Sequence, residues 1–137
     1  MKQKHILAST VVTVVMMAAA MLTPSSAKAQ LKGLGREDLQ QHDLSIPGWE
    51  AVQVMVDFKP GVTAPKHSHP GEEIIYVKEG VLEYKLEGKA PVILKAGDVL
   101  FIPYGVKHEV KNVGKGEAKE LATYVVEKGK PLVVLAK

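Results

Sequence analysis

The sequence predicts an all-β fold, a sandwich or barrel of short strands. Three observations predict it. Apolar residues recur at alternate positions in short segments, the period of a half-buried strand. Turn residues (Pro60-Gly61, Gly80, Gly88, Ala96-Gly97-Asp98, Pro103-Tyr104-Gly105) separate those segments at roughly regular spacing. No segment after residue 29 reads as a convincing helix.

The elements follow in chain order. Residues 1–29 read as an export signal: a basic start at Met1-Lys2-Gln3-Lys4-His5, an apolar run over 6–22, and a small-x-small cleavage site at Ala27-Lys28-Ala29. The mature chain then starts at Gln30. An uncleaved anchor is the alternative reading, although the run is slightly short for a membrane span. Residues 30–48 are polar, with Gly33 and Gly35 early, and read as a flexible N-terminal arm suited to packing on a neighbour. The domain proper is expected over 49–137. Residues 51–58 alternate, with Val52, Val54, Val56 and Phe58 on one face. Strands are expected at 73–77, 81–86, 92–94, 99–102, 108–113, 121–127 and 132–135, and Glu87-Gly88-Lys89 closes a hairpin.

Composition excludes several function classes. Removing Lys2, Lys4 and Lys28 with the signal leaves 15 Lys+Arg against 15 Asp+Glu, so the mature chain is formally neutral. No basic patch remains to argue for nucleic acid. Cysteine is absent, which excludes a disulfide framework, a thiol nucleophile, a thiolate ligand and a lipid-bearing cysteine at the cleavage site. The expectation is a protein exported to the periplasm (secretion is the second choice) and free of the membrane once the signal is cut.

Two spaced clusters carry the chemistry. The first runs from Gly61 through His67, His69 and Glu73 to Gly80. The second runs from Gly97 through Pro103, Gly105 and His108 to Asn112. His67 and His69 are two apart and share a face on an extended segment. Glu73 has the same parity, whereas Glu72, the other candidate carboxylate, would point away. His108 must arrive from another strand, and barrel closure, which turns opposite walls toward one centre, would bring it there. Of five histidines, only His5 and His42 lie outside the clusters. Three imidazoles and a carboxylate form a ligand set suited to a first-row transition metal. Asn112 is expected to bond backbone or to lie in a turn, and no chemistry is assigned to it.

Both spacings match the two motifs of the cupin superfamily, which the stretch from Gly61 to Asn112 resembles residue for residue, with sixteen residues between the motifs. The resemblance implies a jelly-roll β-barrel (a double-stranded β-helix) with His67, His69, Glu73 and His108 holding one metal. It also implies a homodimer, since single-domain cupins often dimerise. The chain looks most like small exported bacterial cupins. The reaction stays open, because cupins include dioxygenases, isomerases, decarboxylases, lyases and non-catalytic binders.

The metal is a divalent ion among Zn, Fe, Mn, Ni and Cu. Four protein ligands leave an octahedral ion two open positions, which suits iron, manganese or nickel; zinc would be nearly saturated. The start has no twin arginine, so the chain is expected to cross unfolded and load its metal where zinc or copper competes best. The pocket is expected to be apolar and lined by Trp49, Met55, Val77, Tyr84 and Phe101, with plain core packing as the alternative role of each. No arginine or lysine is placed inside by the alternation, which disfavours a strongly anionic substrate. The activity expected is a dioxygenase-type oxidation of a small organic substrate, with Glu73 able to act as a base. A redox-neutral isomerase, decarboxylase or lyase, or a non-catalytic binder, is the alternative.

Overall fold

The computed structural model describes residues 32–137, so the expected signal and its cleavage site lie outside the described residues. The strands are β1 (Leu34–Asp43), β2 (Trp49–Phe58), β3 (Thr63–Ser68), β4 (Gly71–Glu79), β5 (Val81–Leu86), β6 (Val92–Lys95), β7 (Val99–Ile102), β8 (His108–Asn112), β9 (Ala118–Glu127) and β10 (Val134–Leu135). They form two five-stranded antiparallel sheets, ordered β1-β2-β9-β4-β7 and β10-β3-β8-β5-β6. The fold is an all-β jelly roll, and no helix occurs among the described residues.

The alternation read from the sequence is what closes the two sheets on each other. Val52, Val54 and Phe58 of β2, Ile75 and Val77 of β4, Leu82, Tyr84 and Leu86 of β5, and Ala118, Ala122, Tyr124 and Val126 of β9 all point into one core. Burying one such large aliphatic side chain stabilises the fold by about 1.5–3 kcal/mol.

The arm expected over 30–48 is mostly a strand. β1 pairs with β2 from Leu34↔Phe58 to Asp43↔Glu50, with a bulge between Asp38 and Gln40. Its polar sequence hid it. An edge strand exposed on most of its surface needs no apolar alternation, because the backbone ladder to β2 holds it. β3 was hidden for a different reason: Pro65 interrupts its ladder, and the β3–β8 register shifts between Ala64 and His67.

Candidate metal centre

Three imidazoles meet at one end of the sandwich. His67 on β3 stands directly opposite His108 on β8 in the antiparallel register, with ring centroids 4.3 Å apart. The bulge at Pro65 re-aims His67 inward. His69 follows the end of β3, with its ring 4.9 Å from that of His67 and 5.2 Å from that of His108. Potential ligand atoms of the three all lie within 4.8 Å of one another. His108 therefore comes from the strand next to β3, and not from the opposite wall. The group that does cross the barrel is Glu73, from β4 of the other sheet. Its Oε2 lies 3.2 Å from His69 Nε2 and 3.1 Å from His108 Nε2. Glu72, one residue earlier, is only half-buried, as its parity requires.

The hydrogen bonds around the rings fix what they can donate. His67 Nδ1 meets the Pro65 carbonyl at 2.6 Å, His69 Nδ1 the Leu132 carbonyl at 2.6 Å, and His108 Nδ1 the Val106 carbonyl at 3.0 Å. A carbonyl only accepts, so each Nδ1 carries the proton and each Nε2 offers a lone pair. His69 Nε2 and Glu73 Oε2 are sealed from solvent and have no hydrogen-bond partner. Two facing lone pairs in a dry site repel, and a cation between them removes that cost. The separations agree with this: donors about 2.1 Å from one ion in adjacent positions sit roughly 3 Å apart. The residues fit a transition metal.

Electrostatics point the same way. Burial lowers the pKa of His67 to about 4, and the neighbouring His108 adds to the effect, so its imidazole is neutral at physiological pH. Without a metal, burial opposes the charge on Glu73, but His108 and His69, when protonated at Nε2, hydrogen-bond to it, outweigh burial and hold the carboxylate at about 2; a metal would take the place of those protons.

The five residues expected to line a pocket divide by strand parity. Val77 and Tyr84 are buried in the barrel. Phe101 is 55% exposed, paired with Ile74 on the outer face of its sheet. Met55 lies between inward Val54 and Val56 and so faces out. Trp49 is half-buried on that outer side, edge-on to Tyr104 at 6.4 Å. These three do not line the interior, because their odd or even position was not carried through to a face.

Sequence reasoning also missed three polar residues, two on β9 and one on β1. Tyr124 packs on His69 with centroids 4.7 Å apart. Glu120 is 3% exposed. Both occupy inward positions of β9, where a polar residue among Ala118, Ala122 and Val126 was a legible signal. Arg36 was not legible. It is ion-paired with Asp38 and lines a groove of about 390 Å³ together with Val52, Val126 and Leu132, the residue whose carbonyl meets His69.

A family model described as "Cupin domain" matches residues 54–131, well over half of the chain. The chain belongs to the cupin family. Among curated relatives, this cupin is 36% identical over 87 residues to "Germin-like protein subfamily 2 member 2" of Arabidopsis thaliana, an alignment covering 58% of this chain and 40% of that protein. Among solved structures, it resembles an oxalate oxidase in complex with the substrate analogue glycolate, at TM-score 0.63 and 28% identity, covering 79% of this chain and 57% of that one. It also resembles the DMSP lyase DddQ from Ruegeria pomeroyi DSS-3, at TM-score 0.57 and 28% identity, covering 63% and 43%. The chain spans about two fifths of the length of the curated relative it matches.

Proposed function

We propose that this cupin is a metal-dependent oxidoreductase acting on a small organic substrate, with His67, His69, Glu73 and His108 as the ligands. One observation carries the reading: three imidazoles locked with Nε2 free, converging with an unpartnered carboxylate oxygen. A divalent transition metal held there would supply Lewis acidity and, if redox-active, electron exchange with dioxygen. The protein's own part is to orient four donors, keep the His67 imidazole neutral and exclude water. Glu73 suits cation binding better than proton abstraction, since a carboxylate held at about 2 is a weak base. The likeness to an oxalate oxidase supports oxidation. The likeness to a DMSP lyase supports a second reading, redox-neutral cleavage at the same site.

Oxygen uptake by metal-loaded protein against a panel of small carboxylates and enols tests the choice. Uptake with any of them supports oxidation; product formation without uptake supports the lyase reading; no turnover of any kind makes it a binder. Export to the periplasm belongs to the same proposal, and protein purified from that compartment is expected to carry zinc or a metal mixture. Iron or manganese alone on elemental analysis would overturn that loading order. We also infer a homodimer. Ile74, Tyr76, Val99 and Phe101 form an exposed apolar face, and Glu72 and Lys78 bracket it along β4, so a two-fold pairing would match opposite charges.

A further inference from the structure

The cage contains a strongly ionised carboxylate but leaves unanswered where a reaction there would keep a proton. Glu120 lies inside the same barrel, on β9, four residues from Tyr124. Its neighbours across the sheet are Val56 of β2 and Val77 of β4, both apolar. From the opposite sheet, β5 supplies Tyr84, whose hydroxyl donates to Glu120 Oε2. From β4, the titratable group that bears on it is Glu73, and along β9 it is Tyr124. Among the described residues no lysine, arginine or histidine pairs with it. A fully buried carboxylate without a cation is far costlier than the neutral acid, which one hydroxyl and a dry wall can satisfy.

We propose that Glu120 is a neutral carboxylic acid in the native barrel, and that it is the proton-holding group for ligands bound at the metal cage. The use of that proton rests on the metal reading above; the neutrality does not. Burial first, and the Glu73 charge second, push Glu120 up to about 8. A bound cation would offset the second cause and leave the first. Two carboxyls in one barrel are thus driven to opposite protonation states, an arrangement that separates an acid from a ligand. The link to the cage runs through Tyr124, the next inward position but one from Glu120 along β9, whose ring touches that of His69. In the transfer step the Tyr124 O–H bond breaks as a new O–H bond forms on a ligand oxygen, the Glu120 O–H bond breaks to restore the Tyr124 hydroxyl, and the resulting carboxylate keeps the Tyr84 hydrogen bond until solvent returns the proton. No atom changes oxidation state.

Two measurements test the two halves. Carbon-13 NMR of glutamate-labelled protein, compared with Glu120→Gln, isolates the Glu120 carboxyl. It is expected to stay protonated at pH 6 and to titrate at about 8; a carboxylate already ionised at pH 6 overturns the proposal. The second probe is formate bound to the zinc-loaded protein. Above about pH 8 its affinity is expected to fall up to tenfold per pH unit more steeply in the wild type than in Glu120→Gln. That variant is permanently neutral, and its side-chain oxygen still accepts from Tyr84. Identical pH profiles in the two proteins overturn the role at the cage. Failure of the wild type to hold zinc would count against the metal reading, and the carboxyl titration would still decide the neutrality of Glu120.

Discussion

At the scale of single residues, the donor set is defined by what each imidazole does with its other nitrogen. His67, His69 and His108 each spend Nδ1 on a carbonyl from a different part of the chain: Pro65, Leu132 and Val106. Removing one ligand should therefore remove affinity without dismantling the other two. His108→Ala is expected to lose most bound metal, a loss on the order of 10-fold or more in affinity, whereas His42→Ala on the exposed edge strand should match the wild type. Elemental analysis after dialysis checks this, and equal metal in the two variants would mean that the centre is misread. The convergence of His67, His69, Glu73 and His108 was legible, because spacing and parity are properties of the chain itself. The Nδ1 partners were not, since Leu132 lies 63 residues from His69 and only the fold brings its carbonyl there.

At the scale of elements, two residues of the stretch from Gly61 to Asn112 act on strands and not on the metal. Asn112 is 1% exposed at the end of β8. Its Nδ2 donates to the Phe58 carbonyl at 3.0 Å and the Gly116 carbonyl at 2.8 Å, and its Oδ1 accepts from Gly114 N at 2.9 Å. It ties β8 to the end of β2 and shapes the turn into β9. Asn112→Ala would take the side-chain partner from three backbone groups, the buried Phe58 carbonyl among them, and is expected to cost about 1–3 kcal/mol in denaturant unfolding, with metal stoichiometry per folded molecule unchanged. Gly71 opens β4 against β9 so closely that a Cβ there would lie 2.0 Å from the Val125 carbonyl oxygen. Gly71→Ala must push β4 away, two residues before Glu73, so it should cost about 1–3 kcal/mol and weaken metal binding as well. Chemical denaturation with parallel zinc titration separates the two variants: stability alone for Asn112, both for Gly71. The sequence reading reached the backbone role of Asn112. It missed β1, whose polar residues carry no period, and it sent Met55 and Phe101 inward, because choosing the inner face of a strand requires knowing its partners.

At the scale of the whole molecule, the buried titratable groups set how stability follows pH, and they pull in opposite directions. His67 falls from an ordinary 6.5 to about 4 on folding, so between those values the unfolded chain binds more protons and stability is lost as pH falls through the window. Glu73 falls from 4.5 to about 2, so its contribution is present above 4.5 and lost below it. Glu120 rises from 4.5 to about 8; here the native state binds the extra proton, and stability is lost as pH rises through that window. For metal-free protein the three predict a steep fall below about pH 4.5. Between about 4.5 and 6.5 His67 and Glu120 oppose each other, and the slope is shallow. Between about 6.5 and 8 Glu120 acts alone and stability declines. Glu120→Gln should abolish that last decline while keeping the acid limb. Adding zinc changes the balance on one side only. Metal binds the native donors and not the unfolded chain, so a hundredfold excess over Kd adds about 2.7 kcal/mol, several degrees in Tm for a domain of this size. The metal also competes with protons for the imidazoles, so the gain should vanish as the pH drops toward 4 and persist across the range where Glu120 titrates. Thermal unfolding from pH 4 to 9, with and without zinc, in the wild type and Glu120→Gln, resolves the four curves. A zinc-induced gain that survived at pH 4, or an alkaline decline unchanged in Glu120→Gln, would show that other groups govern the response.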